Sequence, residues 1–181
     1  QIAAMKGIRA ATLYLAGEPL LNKHFAVMLR RVKEETNISS TTFTTNGMLL
    51  DEKACNALKS ADVDVINVSL DGNSPEENDK IRTRSNFQRV RTNIHQARKT
   101  LEGTKIFIHN IIVPPLEKML DRPRPPKYLT DEFGTQNVQS FMAIRWPGIV
   151  GSYLVANNME IVKKNAVGTS TGEYFCNSPF V

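Results

Sequence analysis

Short β-prone runs alternate with amphipathic helical stripes along most of this chain, and that alternation limits the possible folds more than any other feature. Thr12-Leu13-Tyr14-Leu15-Ala16 reads as a strand stopped by Gly17 and Pro19. Phe25, Met28, Leu29 and Val32 then recur at i, i+3, i+4 and i+7, one face of a helix. Thr41 to Thr45 is a β-branched run closed by Asn46-Gly47. Asp51 follows as an N-cap, with Ala54, Leu58 and Ala61 on one helical stripe. Val63 to Leu70 is a third strand, closed by Asp71-Gly72. Ser85 and Gln88 fit a capping box, and Phe87, Val90, Ile94, Ala97 and Leu101 form the next stripe. Lys105 to Val113 is a fourth strand, and Val138 to Trp146 a fifth.

Strand, helix, strand, helix is the pattern of βα units on a parallel sheet. There is no dinucleotide glycine fingerprint, so part of a (βα) barrel fits better than a Rossmann sheet. Residues 114–126 hold five of the nine prolines and read as a surface loop. After Trp146-Pro147-Gly148 the pattern loosens into turn-rich sequence, so residues 1–146 are read as the barrel part and 147–181 as an irregular segment.

Composition narrows the function classes. At 181 residues the chain is long enough for one domain with a real core. Two cysteines, Cys55 and Cys176, make neither a disulfide framework nor a four-ligand metal site. Cys55 lies beside the apolar face of its helix and reads as structural. His24, His95 and His109 are scattered, with His109 read as alternating outward on the fourth strand, and form no metal constellation. No apolar run spans a membrane and no secretory pattern opens the chain, which points to a cytoplasmic protein without membrane contact. Residues 79–105 carry eight Lys/Arg against two Asp/Glu, a local excess larger than the net charge of +5. With Phe87 as its one aromatic, and with Arg89, Arg91, Arg98 and Lys99 mostly off the apolar stripe, this is read as a solvated helix face in preference to an RNA face. Trp146 ends the fifth strand, as a substrate contact or a plug at the barrel rim.

In parallel sheets, ligands sit at the carboxyl ends of the strands. Those ends are Gly17-Glu18-Pro19, Thr44-Thr45-Asn46-Gly47, Ser69-Leu70-Asp71-Gly72 and His109-Asn110. On the third strand Asn67, Ser69 and Asp71 share one face, and Ile66, Val68 and Leu70 share the other. The polar set is either an internally satisfied layer with an Asp-Gly turn or a set of partners for a ligand bearing hydroxyls. Thr44 and Asn46 share a face in the same way, and Gly17-Glu18-Pro19 is either a plain strand-to-helix turn or a place where a ligand meets the backbone.

Four of these segments, in this order, resemble the radical SAM superfamily. They are Leu15-Ala16-Gly17-Glu18-Pro19-Leu20-Leu21, Thr44-Thr45-Asn46-Gly47-Met48-Leu49-Leu50, Val68-Ser69-Leu70-Asp71-Gly72, and Asp79-Lys80-Ile81-Arg82 with Asn110. The first is similar to the family's GGEP motif, with Ala16 in place of its first glycine; the second is similar to its TNG turn, and the third to its ribose-binding strand.

The resemblance implies a partial (βα)6 TIM-like barrel, here without its first strand and cluster loop. It also implies a [4Fe-4S] cluster that binds and reduces S-adenosylmethionine, giving a 5′-deoxyadenosyl radical that abstracts hydrogen from substrate. Carried onto this chain, Gly17, Glu18 and Pro19 would meet the methionine amino group, largely through backbone carbonyls. Thr44 and Asn46 would line the pocket, and Ser69 and Asp71 would bind ribose hydroxyls or methionine groups. Arg82 or Arg84 would pair with the methionine carboxylate, and Asn110 would sit near ribose or adenine.

The CxxxCxxC motif that holds the cluster is absent. The resemblance therefore implies either cluster ligands upstream of Gln1 or a degenerate, non-catalytic barrel that binds a nucleotide-like ligand. Tyr174-Phe175-Cys176-Asn177-Ser178-Pro179 is similar to the start of a SPASM auxiliary-cluster domain, which would make Cys176 a ligand of an auxiliary cluster; a plain thiol is the alternative. The expected substrate is a peptide or protein, with a small molecule or RNA as the alternative. The electron donor would be a flavodoxin or ferredoxin.

Overall fold

The computed structural model describes residues 7–13, 17–112 and 124–142. Five strands form one sheet in the order of the chain, every neighbouring pair parallel: β1 (Ala10–Thr12), β2 (Ser40–Thr45), β3 (Val65–Ser69), β4 (Lys105–Ile112) and β5 (Val138–Met142). Helix α1 (Phe25–Glu35) joins β1 to β2, and α2 (Glu52–Ser60) joins β2 to β3. Helices α3 (Pro75–Ile81) and α4 (Phe87–Thr100) lie between β3 and β4, and α5 (Lys127–Phe133) precedes β5. This α/β arrangement fits the expected partial barrel.

The register assigns the two faces of the sheet. Phe43 pairs with Ile66, Ile66 with Ile106, Val68 with Ile108 and Ile108 with Val138, so these side chains share a face. All of them are buried and join one core with Phe25 and Leu29 of α1, Cys55 and Leu58 of α2, Val90 and Ile94 of α4, and Leu129 and Phe133 of α5. Phe25 meets Phe43 edge to face at 5.0 Å between ring centroids. The helices thus cover this face. The other face carries Thr42, Thr44, Asn67, Ser69, Phe107, His109, Ile111 and Phe141, of which Asn67 alone is buried.

Local sequence explains the boundaries. The Asp51 carboxylate accepts the Ala54 N–H at 2.9 Å and starts α2, as the sequence predicts. The α4 stripe is buried at every expected position. Its cap differs: the Asn86 side chain accepts from the Arg89 N–H at 2.8 Å, and Ser85 lies one residue outside. The stripe of α1 is narrower than its spacing suggests, because Met28 is exposed while Phe25 and Leu29 are buried. Helix α3 was not anticipated, although Ser74 caps it and Pro75 opens it. Helix α5 follows the proline-rich loop, carried by Leu129 and Phe133 at i, i+4.

The first strand starts at Ala10, two residues before the expected run, because its pairing begins at Ala10 with Ser40. Residues 14–16 of that run, the loop at 113–123, residues 143–146 with Trp146, the 147–181 segment and Cys176 lie outside the described residues.

The basic stretch is partly used in packing. Arg91 pairs with Glu132 at 2.7 Å, and Arg98 lies over the Phe133 ring at 5.5 Å, both on α5. Half of the four arginine and lysine positions named on that face therefore serve a helix contact as well as solvent. No helix among the described residues is long and apolar enough to cross a membrane.

Candidate functional site

The candidate site is the rim formed by the carboxyl ends of β1, β2 and β3, together with the open face beneath it, the face of the sheet that no described helix covers.

At the β1 end, Gly17 adopts φ +85, a left-handed conformation that favours glycine, and a side chain there would meet nothing within 4 Å. Glu18 comes next and Pro19 opens a one-turn 3-10 helix, Pro19–Leu21. The Glu18 carboxylate is committed within the protein. Its Oε1 accepts from the Leu20 N–H at 3.1 Å and from the Thr45 hydroxyl at 2.7 Å, and its Oε2 accepts from the Asn46 N–H at 2.7 Å. Glu18 therefore ties the β1 loop to the end of β2. The side chain serves as a strut, which leaves this loop's backbone as the part able to meet a ligand.

At the β2 end, Thr44 lies on the open face and is half-buried, while Thr45 on the packed face receives Glu18. The Asn46 side-chain Oδ1 accepts from the Met48 N–H at 2.9 Å, an Asx turn at the rim. Gly47 follows at φ +76, where a Cβ would lie 2.7 Å from Val90 Cγ1 and 2.8 Å from Val68 Cγ1. This turn needs glycine both for its backbone and for its contact with α4.

At the β3 end the polar residues part company. Ser69 stays on the open face, in register with His109, and is half-buried. Asp71 turns inward, with its Oδ2 2.8 Å from the Arg82 guanidinium and its Oδ1 accepting the Ile111 N–H at 3.0 Å. Burial pushes the Asp71 carboxyl above the usual carboxylate range, against the pull of Arg82 and the Ile111 N–H. Arg82, expected to face a ligand carboxylate, is itself buried. Arg84 stands exposed in the α3–α4 loop, at φ +66.

Asn110 and His109 exchange the places that the sequence reading gave them. Asn110 shares the packed face with Ile106 and Ile108 and is fully buried. Its Nδ2 donates to the Leu70 and Gly72 carbonyls at 2.8 and 3.0 Å, and its Oδ1 accepts from the Ser140 hydroxyl at 3.2 Å. With those groups used, Asn110 braces the β3 loop from behind and does not reach a ligand on the open face. His109 does lie on the open face, edge-on to Phe141 at 5.1 Å, with burial lowering its pKa against the pull of Gln139. The alternation through Ile106 and Ile108 carried this assignment in the sequence.

Thr45, Asn78, Tyr128 and Ser140 were also missed. Thr45, Tyr128 and Ser140 bond to residues 27 to 57 positions away, so no local pattern marks them, while Asn78 meets Asp71 only seven residues off through the unexpected helix α3.

The rim brings together Gly17, with nothing within 4 Å of the place a side chain would take, and the half-buried polar side chains of Thr44, Asn46 and Ser69. The cluster finds no matching donor set in the described residues. Cys55 is fully buried, with burial pushing its thiol up to about 11, so it is not a thiolate ligand. No group of three His, Cys, Asp or Glu able to hold a metal ion is found among the described residues.

Comparison with known proteins identifies the family. Over 97 residues the chain is 37% identical to a GTP 3′,8-cyclase of Limosilactobacillus fermentum, covering 54% of this chain and 29% of that protein. It is 41% identical over 81 residues to a probable GTP 3′,8-cyclase of Methanococcus maripaludis, 45% of this chain and 26% of that one. It is 44% identical over 75 residues to the GTP 3′,8-cyclase of Heliobacterium modesticaldum, 41% and 22% of the two chains. The chain thus spans 22% to 29% of the length of these relatives. The sequence pattern of the radical SAM superfamily matches residues 1–121, well over half of the 181, and the chain belongs to that superfamily.

Proposed function

We propose that this segment is the S-adenosylmethionine-binding part of a radical SAM enzyme whose substrate is a nucleotide, with GTP as the first candidate. The observation that carries the substrate class is the likeness to GTP 3′,8-cyclases across up to 114 residues of this chain. It favours the small-molecule alternative over the peptide or protein substrate expected at first. Nothing in the comparisons supports a SPASM domain or an auxiliary cluster at Cys176.

The bound cofactor supplies the radical chemistry of the family, and the protein supplies position and polarity. In this reading the backbone at Gly17, Glu18 and Pro19 receives the amino group of the methionine moiety. The Glu18 carboxylate holds that loop against Thr45 and Asn46, so the acceptors are oriented before the ligand arrives. Thr44, Asn46 and Ser69 offer hydroxyl and amide groups to the ribose. The cluster ligands are not among these residues, and no step is assigned through them.

The test is made on the complete polypeptide carrying this segment, reconstituted anaerobically with iron and sulfide. Release of 5′-deoxyadenosine from S-adenosylmethionine is measured with GTP, with other nucleoside triphosphates and with peptide mixtures. Stimulation by GTP and formation of a cyclised nucleotide are expected. Stimulation by peptide alone would return the substrate to the peptide class, and no release with any substrate would support a non-catalytic barrel.

A further inference from the structure

We infer that Asp71 and Arg82 form a positioning clasp that fixes the Ser69 end of β3, and that they act on a bound adenosyl ligand through this loop without touching it. The ligand part of this inference rests on the proposed reading of the chain as an S-adenosylmethionine site. The clasp itself rests on geometry.

Asp71 is 4% exposed and Arg82 7%, with the charged groups 2.8 Å apart. Every polar group of Asp71 is used inside the protein. Oδ2 faces Arg82, Oδ1 accepts the Ile111 N–H, and the backbone N–H donates to Asn78 Oδ1 at 2.9 Å. The backbone carbonyl accepts from the Tyr128 hydroxyl at 3.4 Å. The residues on either side are held too. Leu70 and Gly72 give their carbonyls to Asn110, and the Gly72 N–H donates to the Ile111 carbonyl at 3.2 Å. Arg82 is anchored in turn, its backbone N–H donating to the Asn78 carbonyl at 2.8 Å.

A ribose hydroxyl needs an open lone pair at a surface, and Asp71 has almost no surface. A ligand carboxylate that took Arg82 would have to strip it from a buried partner and leave Asp71 charged and unpaired, which is strongly unfavourable. What the pair does control is the loop from Ser69 to Gly72, pinned to β4 on one side and to α3 and α5 on the other. Ser69 is the residue at the end of this loop that faces the open side of the sheet. Asp71 and Arg82 are therefore positioning residues for Ser69.

The experiment compares Arg82→Gln with the pair Asp71→Asn/Arg82→Gln in the complete polypeptide. Thermal unfolding is followed without ligand, and dissociation constants are measured for S-adenosylmethionine and for 5′-methylthioadenosine, which lacks the amino-acid carboxylate. A clasp predicts that Arg82→Gln lowers the unfolding midpoint by roughly 5 °C or more. It also predicts that both nucleosides lose affinity by the same factor, about tenfold. Adding Asp71→Asn removes the stranded buried charge, so midpoint and both affinities should recover towards wild type.

Direct contact predicts the reverse. The loss in Arg82→Gln would be confined to S-adenosylmethionine, and the added Asp71→Asn would weaken binding further; either result overturns the clasp. Where Arg82→Gln alone fails to fold, folding of the paired variant supports the clasp and its failure to fold counts against it. Should the wild type bind neither nucleoside, the site reading fails while the unfolding arm still decides the clasp.

Discussion

The two ends of β3 carry the same device in different surroundings. Asp64, just before the strand, accepts the Thr41 N–H at 2.7 Å and pairs with Lys33 at 2.9 Å. Asp71, just after it, accepts the Ile111 N–H at 3.0 Å and pairs with Arg82 at 2.8 Å. Each carboxylate thus bridges to a neighbouring strand's backbone and to one cation. The side chain of Asp64 is 35% exposed and that of Asp71 is 5%. At Asp64 burial raises the pKa less than the Thr41 N–H and Lys33 lower it, so the carboxyl sits below its ordinary value. At Asp71 burial wins and the carboxyl sits above it. Water access, not the list of partners, decides the sign. The amino end of the strand tolerates its charge cheaply, and the carboxyl end near the site holds its charge only by pairing.

Removing the cation at each end should separate them most clearly. Arg82→Gln leaves a buried carboxylate and should cost about 3–5 kcal/mol at neutral pH, by urea unfolding. Lys33→Gln leaves a hydrated one and should cost about 1 kcal/mol or less. Equal costs would break the comparison. Acid sharpens it next. Asp64 contributes stability above the unfolded carboxylate value, and this is lost as pH falls through its lower folded value. Asp71 holds its proton more readily folded than unfolded, so its charge weighs against folding once pH has risen through the raised value. The cost of Arg82→Gln should therefore shrink on acidification towards pH 4, while that of Lys33→Gln should not change until the pH is lower still. Salt should act on the other end alone: about 1 M sodium chloride erases the Lys33→Gln cost and leaves the Arg82→Gln cost intact. The smallest effect on folding is expected at Ser69→Ala, within about 0.5 kcal/mol in stability. Affinity for S-adenosylmethionine should nevertheless fall, by calorimetry, on the proposed reading that makes Ser69 the contact and Asp71 its support. Unchanged affinity in that variant would remove Ser69 from the site.

Much of this was legible in the chain. The α4 stripe, the Asp51 cap and the ends of the three inner strands, these to within two residues, follow from periodicity and side-chain chemistry. Thr44, Asn46 and Ser69 of the motifs fall at the carboxyl ends of β2 and β3, and the Glu18 side chain meets the end of β2. What the sequence concealed was the direction of individual polar side chains. The Asn110 side chain, expected near ribose or adenine, is consumed by partners 38 and 40 residues away, and the Glu18 carboxylate, beside a backbone expected to meet the ligand, by partners 27 and 28 residues away. Asp71 and Arg82 are 11 residues apart with a helix between them, and their pairing depends on where α3 lands. Asn86 rather than Ser85 caps α4 because both are competent residues and the backbone selects one.

The order of the strands in the sheet has a consequence for how the chain reaches this structure. Each strand pairs with the one that precedes it in the chain, their starts at residues 10, 40, 65, 105 and 138. Closing each pair needs only the intervening βα segment, so the loop-closure entropy stays modest at every step. A sheet of this kind can grow from its amino-terminal side as the chain emerges during synthesis, with no pairing waiting for a distant partner. The rim would then be assembled in the same sequence: Glu18 meets Thr45 and Asn46 first, and the Ser69 loop is locked only when β4 delivers Ile111 and Asn110.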